Sequence, residues 1–566
     1  MIRSVRERAT FDVRSSGSAI RSFRLDDASP GVNATEQFFY RLGEDGRVEW
    51  VVSRLCDHAN GKLVLAPDGC TATCPLHGWR LSTQSLDYEN VQVRKARLPF
   101  VQRGATVEVQ DEKRALAFPA SLGLGRPIEA SVRFLAHASA HISLAGVSII
   151  TDPWLVGPCF TTGWWHKPPP PDDALELLAG ADFVYLSHNH PDHLHAETLS
   201  RLDKDTAFLI PPFASNSVPP LLEQLGFENI FPLKFGFVYE LNGRGVFVSI
   251  LPPGDFRDDS GLLVAGGDFS ALFTVDTNRL NNFVLPSPVS LLMTAFAGGA
   301  TGYPLCFENY SEEQKRAILT RNRNSVLSLA ERYVRETSPV AYAPYAGYFL
   351  EAAPRDAYIR ENNAKNSAAA AVEYISRAHP GVHCVDPTVT DRLRWSKGAL
   401  TADRSGRAPL FEVDPAYIAD WVARLDARPR PGEQRIVEAY FRRAAFTDEL
   451  VLYLVPTKDD FTPSSDVWGA VVDFRGPSPS VEAAPAAEVD ARYDEEARAA
   501  AERGVRRKRI RARVGSLLRV LREGLPWEDL SIGFQCRIHR TPDVYNSAFW
   551  QHFTNVHIGD KAGVEL

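Results

Sequence analysis

No stretch of the sequence approaches the roughly eighteen consecutive apolar residues that a membrane-crossing helix needs. The opening Met1-Ile2-Arg3-Ser4-Val5-Arg6-Glu7-Arg8 has charges but no apolar segment of the kind a secretory leader carries. The expectation is a protein of the reducing cytoplasm with no membrane partner. Positive charge is not in surplus either: 63 Lys and Arg stand against 70 Asp and Glu, a formal net charge of −7. Binding to a phosphate backbone through bulk charge is disfavoured, and nucleic acid is not expected as a partner. Cysteine is scarce. Seven in 566 residues is too sparse and too odd for a disulfide framework, so a cysteine with a task is expected to hold a metal. What remains is globular composition, 44% hydrophobic and 23% charged, in a chain long enough for three or four domains.

Short strands are predicted at Gln37-Phe38-Phe39-Tyr40 and Val48-Glu49-Trp50-Val51-Val52, with turn signals at Gly43 and Asp45-Gly46 between them. After them Cys56-Asp57-His58 and Cys74-Pro75-Leu76-His77 form C-x-H-x15-C-x-x-H. A Cys2His2 zinc site needs the same ligand types but usually pairs cysteines in one motif and histidines in the other, whereas both motifs here are mixed. Order and spacing resemble the Rieske [2Fe–2S] domain of oxygenases and their ferredoxins. That resemblance implies that Cys56 and Cys74 hold one iron as thiolates and His58 and His77 the other, a centre that moves one electron at a time. Cys70 is read as a small packing residue.

Past Pro119 the pattern shifts to strands alternating with loops and helices. Strands are predicted at 131–137 and 146–151, the second ending at Asp152-Pro153, and at Phe183-Val184-Tyr185-Leu186. The last runs into Ser187-His188-Asn189-His190-Pro191-Asp192-His193, the H-x-H-x-D-H motif of the metallo-β-lactamase fold. His188 and His190, two apart in an extended loop, face one way and can hold one metal; Asp192 and His193, beyond Pro191, serve its neighbour. Three imidazoles and a carboxylate within six residues are otherwise poor core material. Asp276, at the end of the strand 269–275, occupies the place of that fold's bridging carboxylate. The loop that usually supplies a third histidine reads Leu251-Pro252-Pro253-Gly254-Asp255-Phe256-Arg257-Asp258-Asp259 and has none, so Asp255 is the substitute by position. A carboxylate-rich site of this kind suits iron better than a hydrolytic zinc pair. His195 is expected as a solvated helix-start residue, Asp152 as a turn residue, and His137 lies near the metal face. His166 is a possible ligand or acid–base group without supporting spacing. Trp164 and Trp165 either wall the pocket or are packing residues; Gly298-Gly299-Ala300 either lets backbone approach a substrate or serves only the fold.

A Rieske-like segment followed by a metallo-β-lactamase-like one resembles the cytidine monophosphate-N-acetylneuraminate hydroxylase family, in a composition (arginine over lysine, abundant alanine) typical of a bacterial homologue. Further stretches carry the resemblance: 134–138, 151–158, Gly163-Trp164-Trp165, 296–304, Pro344-Tyr345-Ala346-Gly347-Tyr348-Phe349, Ile532-Gly533-Phe534-Gln535, and 543–553. It implies a multidomain chain: an all-β Rieske domain with an N-terminal extension at 1–120, an αββα metallo-β-lactamase-like sandwich at 121–404, and a C-terminal α+β and helical region at 405–566. It also implies an iron monooxygenase with a mono- or dinuclear non-haem iron site. Electrons would come from NAD(P)H through a separate reductase and a ferredoxin or cytochrome b5-like carrier, for oxidation of a small molecule by O2, most like hydroxylation of the N-acetyl group of a CMP-sialic acid. Two alternatives stay open: N-oxygenation or hydroxylation of another amine or acetamido compound, and metal-assisted hydrolysis on the same scaffold.

In the last third, 436–441 and 450–455 are predicted as a helix and a strand, and 477–487 as a linker. Val514, Leu517, Leu518 and Leu521 mark an amphipathic helix stopped by Gly524. The basic run Arg506 to Arg513 before it is expected as a solvated helical face or as a dock for an acidic electron carrier.

Overall fold

A computed structural model describes residues 4–10, 19–26, 28–57, 62–75, 79–88, 93–111, 125–213, 218–255, 257–404, 413–500 and 505–556. Its centre is a sandwich of two eight-stranded sheets. One contains Val147–Thr151, Phe183–Tyr185 and Ala207–Ile210 as parallel neighbours, flanked by antiparallel Ala130–Ala136 and Ser139–Leu144. The other contains Gly261–Gly266 and Phe269–Phe273 followed by parallel Leu291–Thr294 and Ala341–Pro344. Val132, Ile142, Ile149, Tyr185 and Leu209 face Val248, Ile250, Leu262, Val264 and Ala271 in one dry core between the sheets. These strands read as unbroken apolar runs because both faces are covered. Their outward residues pack under helices: Ile150, Val184 and Phe208 under Ala174–Ala179 and Val218–Gln224, and Leu263, Leu272 and Tyr342 under Glu312–Thr337. The layering is therefore helix, sheet, sheet, helix, as expected for the central segment. Among the described residues no helix is long and apolar enough to cross a membrane.

Parallel pairing brings successive strand ends to one rim, where an α/β fold collects functional loops. Three small antiparallel sheets lie before the sandwich: Gly31–Ala34 with Phe38–Leu42 and Val48–Ser53, Val64–Leu65 with Thr71–Thr73 and Arg80–Ser82, and Thr106–Asp111 between Ala19–Arg24 and Phe100–Arg103. Val5–Thr10 is not among them; it edges the sandwich beside Phe237–Leu241.

The C-terminal region is a five-stranded sheet with Leu450–Thr457 and Arg506–Arg513 as parallel central partners. The helix Val514–Glu523 forms as its apolar spacing predicts and ends at Gly524 in the left-handed conformation, φ +64°. Two expectations fail. Residues 477–487 are not a linker, because Ser480–Ala484 completes the sheet edge and the helix Ala486–Ala500 follows directly. The basic run is a strand, and its arginines are neutralised within the fold. Arg509 meets Glu308 at 3.0 Å and Asp494 at 2.8 Å, Arg511 meets Asp490 at 2.8 Å, and buried Arg513 meets Asp356 at 2.5 Å. Charge so engaged offers little to an acidic partner.

Candidate metal centre

The strand-end geometry assembles the site. The Asp152 amide donates to the Tyr185 carbonyl at 2.8 Å, locking the turn after Val147–Thr151 beside the loop that carries Ser187 to His193. Asp192 Oδ2 lies 3.0 Å from His137 Nε2 and 3.3 Å from His193 Nε2, and Asp276 Oδ2 lies 3.6 Å from His193 Nε2. His188 Nε2 is 3.8 Å from Asp259 Oδ1 and 2.8 Å from His190 Nδ1. Two compact donor groups result, His137 with Asp192 and His193, and His188 with His193 and Asp276, each within 4.8 Å. Asp192 Oδ1, His193 Nε2 and Asp259 Oδ2 are buried with no hydrogen-bond partner among the described residues. A dry cluster of unsatisfied carboxylate oxygens and imidazole nitrogens is costly unless a cation completes it, so the donor set fits a metal.

Around these donors is a supporting layer. Asp152, fully buried, accepts hydrogen bonds from the Ser187 amide at 2.7 Å and hydroxyl at 2.8 Å, and its Oδ2 lies 2.9 Å from His193 Nδ1. The carboxylate-to-imidazole contact is the usual orienting device behind a ligating histidine. His190 Nε2 is 2.9 Å from Glu528 Oε2, a contact spanning 338 residues of sequence. Burial opposes charge on His190, yet the hydrogen bond and charge of Glu528 carry it up to about 9. Burial likewise opposes the charged forms of His193 and Asp192, and their mutual attraction wins, holding the imidazole well above and the carboxyl well below their ordinary values. Burial lifts Asp259 to about 6 against the pull of Arg257.

His188, Asp192, His193 and Asp276 converge, and His190 touches the cluster through His188. Asp255 does not reach it: Arg257 engages its Oδ2 at 3.0 Å, and neither donor group includes it. Asp259, four residues on, is the carboxylate of that loop that approaches a histidine. His137 joins the cluster from a hairpin turn at φ +39°, and Asp152 is an orienting group, not a plain turn residue. Glu528 carried no sequence signal at all. His195 is not solvated; it is buried and caps Ala196–Leu199 by accepting the Thr198 amide. His166 stacks on Trp154 with ring centroids 4.2 Å apart, and burial drives its pKa down to about 3, so it packs as a neutral ring.

The cluster opens into a cavity of about 970 Å³. Its walls include the loop Ala297 to Gly302, the helix Glu312–Thr337, a C-terminal arc from Glu528 to Asn555, and Trp79 and Val93 from the loops of the N-terminal unit. Trp164 belongs to this wall and stacks on Phe349 at 3.6 Å; Trp165 is buried in a separate cluster with Trp421.

In the N-terminal unit Cys56 and Cys74 are both buried in one small core with Trp50, Trp79 and Tyr88. Asp57 next to Cys56 is fixed by the Tyr88 hydroxyl at 3.0 Å and Lys95 at 2.8 Å. His58 and His77 lie outside the described residues. Cys70 is exposed, so it is not the packing residue expected.

An αββα sandwich with clustered histidine and aspartate at its strand ends is the metallo-β-lactamase type of fold, and residues 131–252 match the beta-lactamase superfamily domain family. Full-length relatives narrow this. Cytidine monophosphate-N-acetylneuraminic acid hydroxylase of Asterias rubens is 31% identical over 528 residues, 88% of this chain and 77% of that protein. Its counterpart in Mus musculus is 30% identical over 536 residues, 88% of each chain, and that of Xenopus laevis 29% over 555 residues, 91% and 88%. The chain belongs to the cytidine monophosphate-N-acetylneuraminic acid hydroxylase family.

Proposed function

We propose that this protein is an iron-dependent oxygenase that hydroxylates the N-acetyl group of a CMP-activated sialic acid. The balance is one methyl C–H and O2 with two electrons and two protons giving C–OH and water. The observation that carries the reading is the shared cavity: a carboxylate-rich donor cluster at one end and Trp79, from the unit that buries Cys56 and Cys74, in its wall.

His188, Asp192, His193 and Asp276, with His137 and Asp259 beside them, would hold mono- or dinuclear non-haem iron. Cys56, His58, Cys74 and His77 would hold a Rieske [2Fe–2S] cluster in an all-β N-terminal domain. Iron supplies O2 activation there, and the cluster supplies electrons one at a time. The chain's own residues do the rest. Asp152 keeps a proton on His193 Nδ1 so that Nε2 stays free for a metal, and Glu528 holds His190 through its Nε2. The aromatic wall of Phe160 and Trp164 keeps bulk water from the substrate face. Electrons would reach the enzyme from NAD(P)H by way of a reductase and a ferredoxin or cytochrome b5-like carrier.

Turnover with reductant, labelled O2 and CMP-N-acetylneuraminic acid tests this. One labelled oxygen atom should appear in the N-glycolyl product, and Cys74→Ser should stop reduction of the enzyme while leaving nucleotide binding intact. Hydrolysis of substrate without O2 or reductant, untouched by Cys74→Ser, would instead establish a metallohydrolase.

A further inference from the structure

Away from the metal cluster the cavity holds a second buried polar group left unpaired among the described residues. Asn322 lines the cavity from the helix Glu312–Thr337, is 9% exposed, and its Oδ1 has no hydrogen-bond partner among the described residues. Ile318, Val326 and Leu329 sit at the helical spacings before and after it on the same cavity-facing stripe. An apolar residue there would pack better and form helix more readily, so an amide at this position costs stability unless a ligand satisfies it.

The position along the helix suits a long substrate. The Tyr333 hydroxyl donates to the Thr277 carbonyl at 2.9 Å, pinning that end of the helix beside Asp276. Asn322 comes eleven residues earlier, about 16 Å along the axis. Around the helix start are Tyr303, Phe307 and Tyr310, with Tyr303 5.4 Å from Phe307 and 5.6 Å from Tyr310 by ring centroid. Such faces stack nucleobases. Arg321, exposed at the cavity, and Arg540 both bring positive charge to bear on Tyr303. The loop beside the helix passes through Gly298 and Gly299 at φ +68° and +69°, a conformation that suits glycine and brings bare backbone close: a Cβ on Gly298 would lie 3.5 Å from Arg323 Cα.

We propose that this end of the cavity is a nucleotide subsite, in which Asn322 Oδ1 accepts the exocyclic amino group of cytosine and Arg321 faces the phosphate. The assignment rests on the nucleotide-sugar reading above and adds where the base lies and how it is told from uracil. Cytosine presents an amino donor where uracil presents a carbonyl oxygen, so an unpaired acceptor at this place selects the former.

Calorimetric titration of the full-length protein with CMP, UMP and cytidine tests it. The native protein should bind CMP about tenfold or more tightly than UMP. Asn322→Ala should lose about that factor for CMP and level the two nucleotides, with its circular dichroism unchanged. Arg321→Ala should weaken CMP and UMP alike and leave cytidine unaffected. CMP binding unchanged in Asn322→Ala, or equal binding of CMP and UMP by the native protein, overturns the subsite while the substrate reading stands. No binding of either nucleotide by the native protein overturns both. Should Asn322→Ala fail to fold, Arg321→Ala at its exposed position decides: undiminished CMP affinity refutes the assignment.

Discussion

Replacing Asp152 with asparagine changes one acceptor into a donor without changing shape, and the consequence can be followed atom by atom. In the native protein Oδ1 takes the Ser187 amide, while Oδ2 takes the Ser187 hydroxyl and sits 2.9 Å from His193 Nδ1. A carboxylate there demands a proton on Nδ1, so Nε2, on the side of Asp192 and Asp276, is the nitrogen that gives up its proton when a metal binds. In Asp152→Asn the oxygen keeps the Ser187 amide and the NH2 faces Nδ1, so the imidazole must accept at Nδ1 and carry its proton on Nε2. A protonated Nε2 cannot ligate. Metal binding then requires the opposite tautomer with two donors facing each other in a site that water does not reach. The expected loss is about 10–100-fold in metal affinity, the range for removing a carboxylate behind a ligating histidine, or about 1.4–2.8 kcal/mol. Equilibrium competition against a chromophoric chelator under anaerobic conditions measures it directly, and the thermal midpoint of the metal-free protein serves as the folding control. An affinity within twofold of native, with the midpoint unchanged, would refute the orienting role of Asp152 and with it the placement of the metal at His193 Nε2.

Three further outcomes follow from buried groups elsewhere in the fold. Lys508 is 2% exposed with its ammonium 4.1 Å from the Phe549 ring centroid and no hydrogen bond among the described residues; burial and the charges of Arg540 and Arg506 depress its pKa against the pull of Asp448. Between that depressed value and 10.5 the unfolded chain holds a proton the folded chain lacks, so stability rises with pH through this window by up to about 1.4 kcal/mol per pH unit; Lys508→Met should flatten the rise in chemical melts run from neutral to alkaline pH, and a native protein with no such rise contradicts the reading. Asp356→Ala leaves Arg513 charged and buried without its 2.5 Å partner and should cost about 3–5 kcal/mol in urea melts, a loss under 1 kcal/mol showing that the pair is hydrated. Gly163→Ala would drive a Cβ into the Gly533 carbonyl oxygen and should lower stability by about 1–3 kcal/mol, while Gly381→Ala, with open space at the Cβ and no left-handed backbone, serves as the comparison for a glycine on the surface.

The parts of this molecule that sequence reveals are those fixed by neighbours in the chain. The strand Phe183–Tyr185 and the loop after it are legible because four apolar residues and a histidine–aspartate spacing lie within a dozen positions. The helix Val514–Glu523 is legible for the same reason, down to its glycine stop. Asp255 stands at the expected place in its loop, yet Arg257 holds it at 3.0 Å and neither donor group includes it; position in a loop does not say which carboxylate an arginine will claim, and Asp259, 3.4 Å from the same Arg257, is the one that also approaches His188. Glu528 lies 338 residues from the histidine it holds, and no local pattern marks it. The run from Arg506 to Arg513 was misread by charge: arginine at 507, 509, 511 and 513 has the period of two that a strand imposes, and acids from Glu308, Asp490 and Asp494 supply the neutralisation that a basic strand needs to be buried.

The long-range contacts also bear on which chemistry the scaffold serves. A hydrolase on this sandwich needs water at its metal and can leave the strand-end rim open. Here the rim is covered: Trp154, Phe160 and Trp164 share one hydrophobic core with Trp527, Phe534, Phe549 and the C-terminal sheet, and Glu528 from that unit reaches in to His190. Loops of the N-terminal unit close another side with Trp79 and Val93. Folding of the C-terminal third is thus a condition for the histidine geometry, since losing that unit frees His190 and opens the apolar wall together. A site whose construction draws on three separated parts of the chain to keep water away suits a reaction in which stray water and protons divert a reactive oxidant. It follows that Glu528→Gln, which keeps the shape and the wall but weakens the hold on His190, should raise the fraction of electrons that end in peroxide or water without product, measured as reductant consumed per product formed. A ratio unchanged from native would mean that coverage alone, and not the Glu528–His190 contact, couples the two.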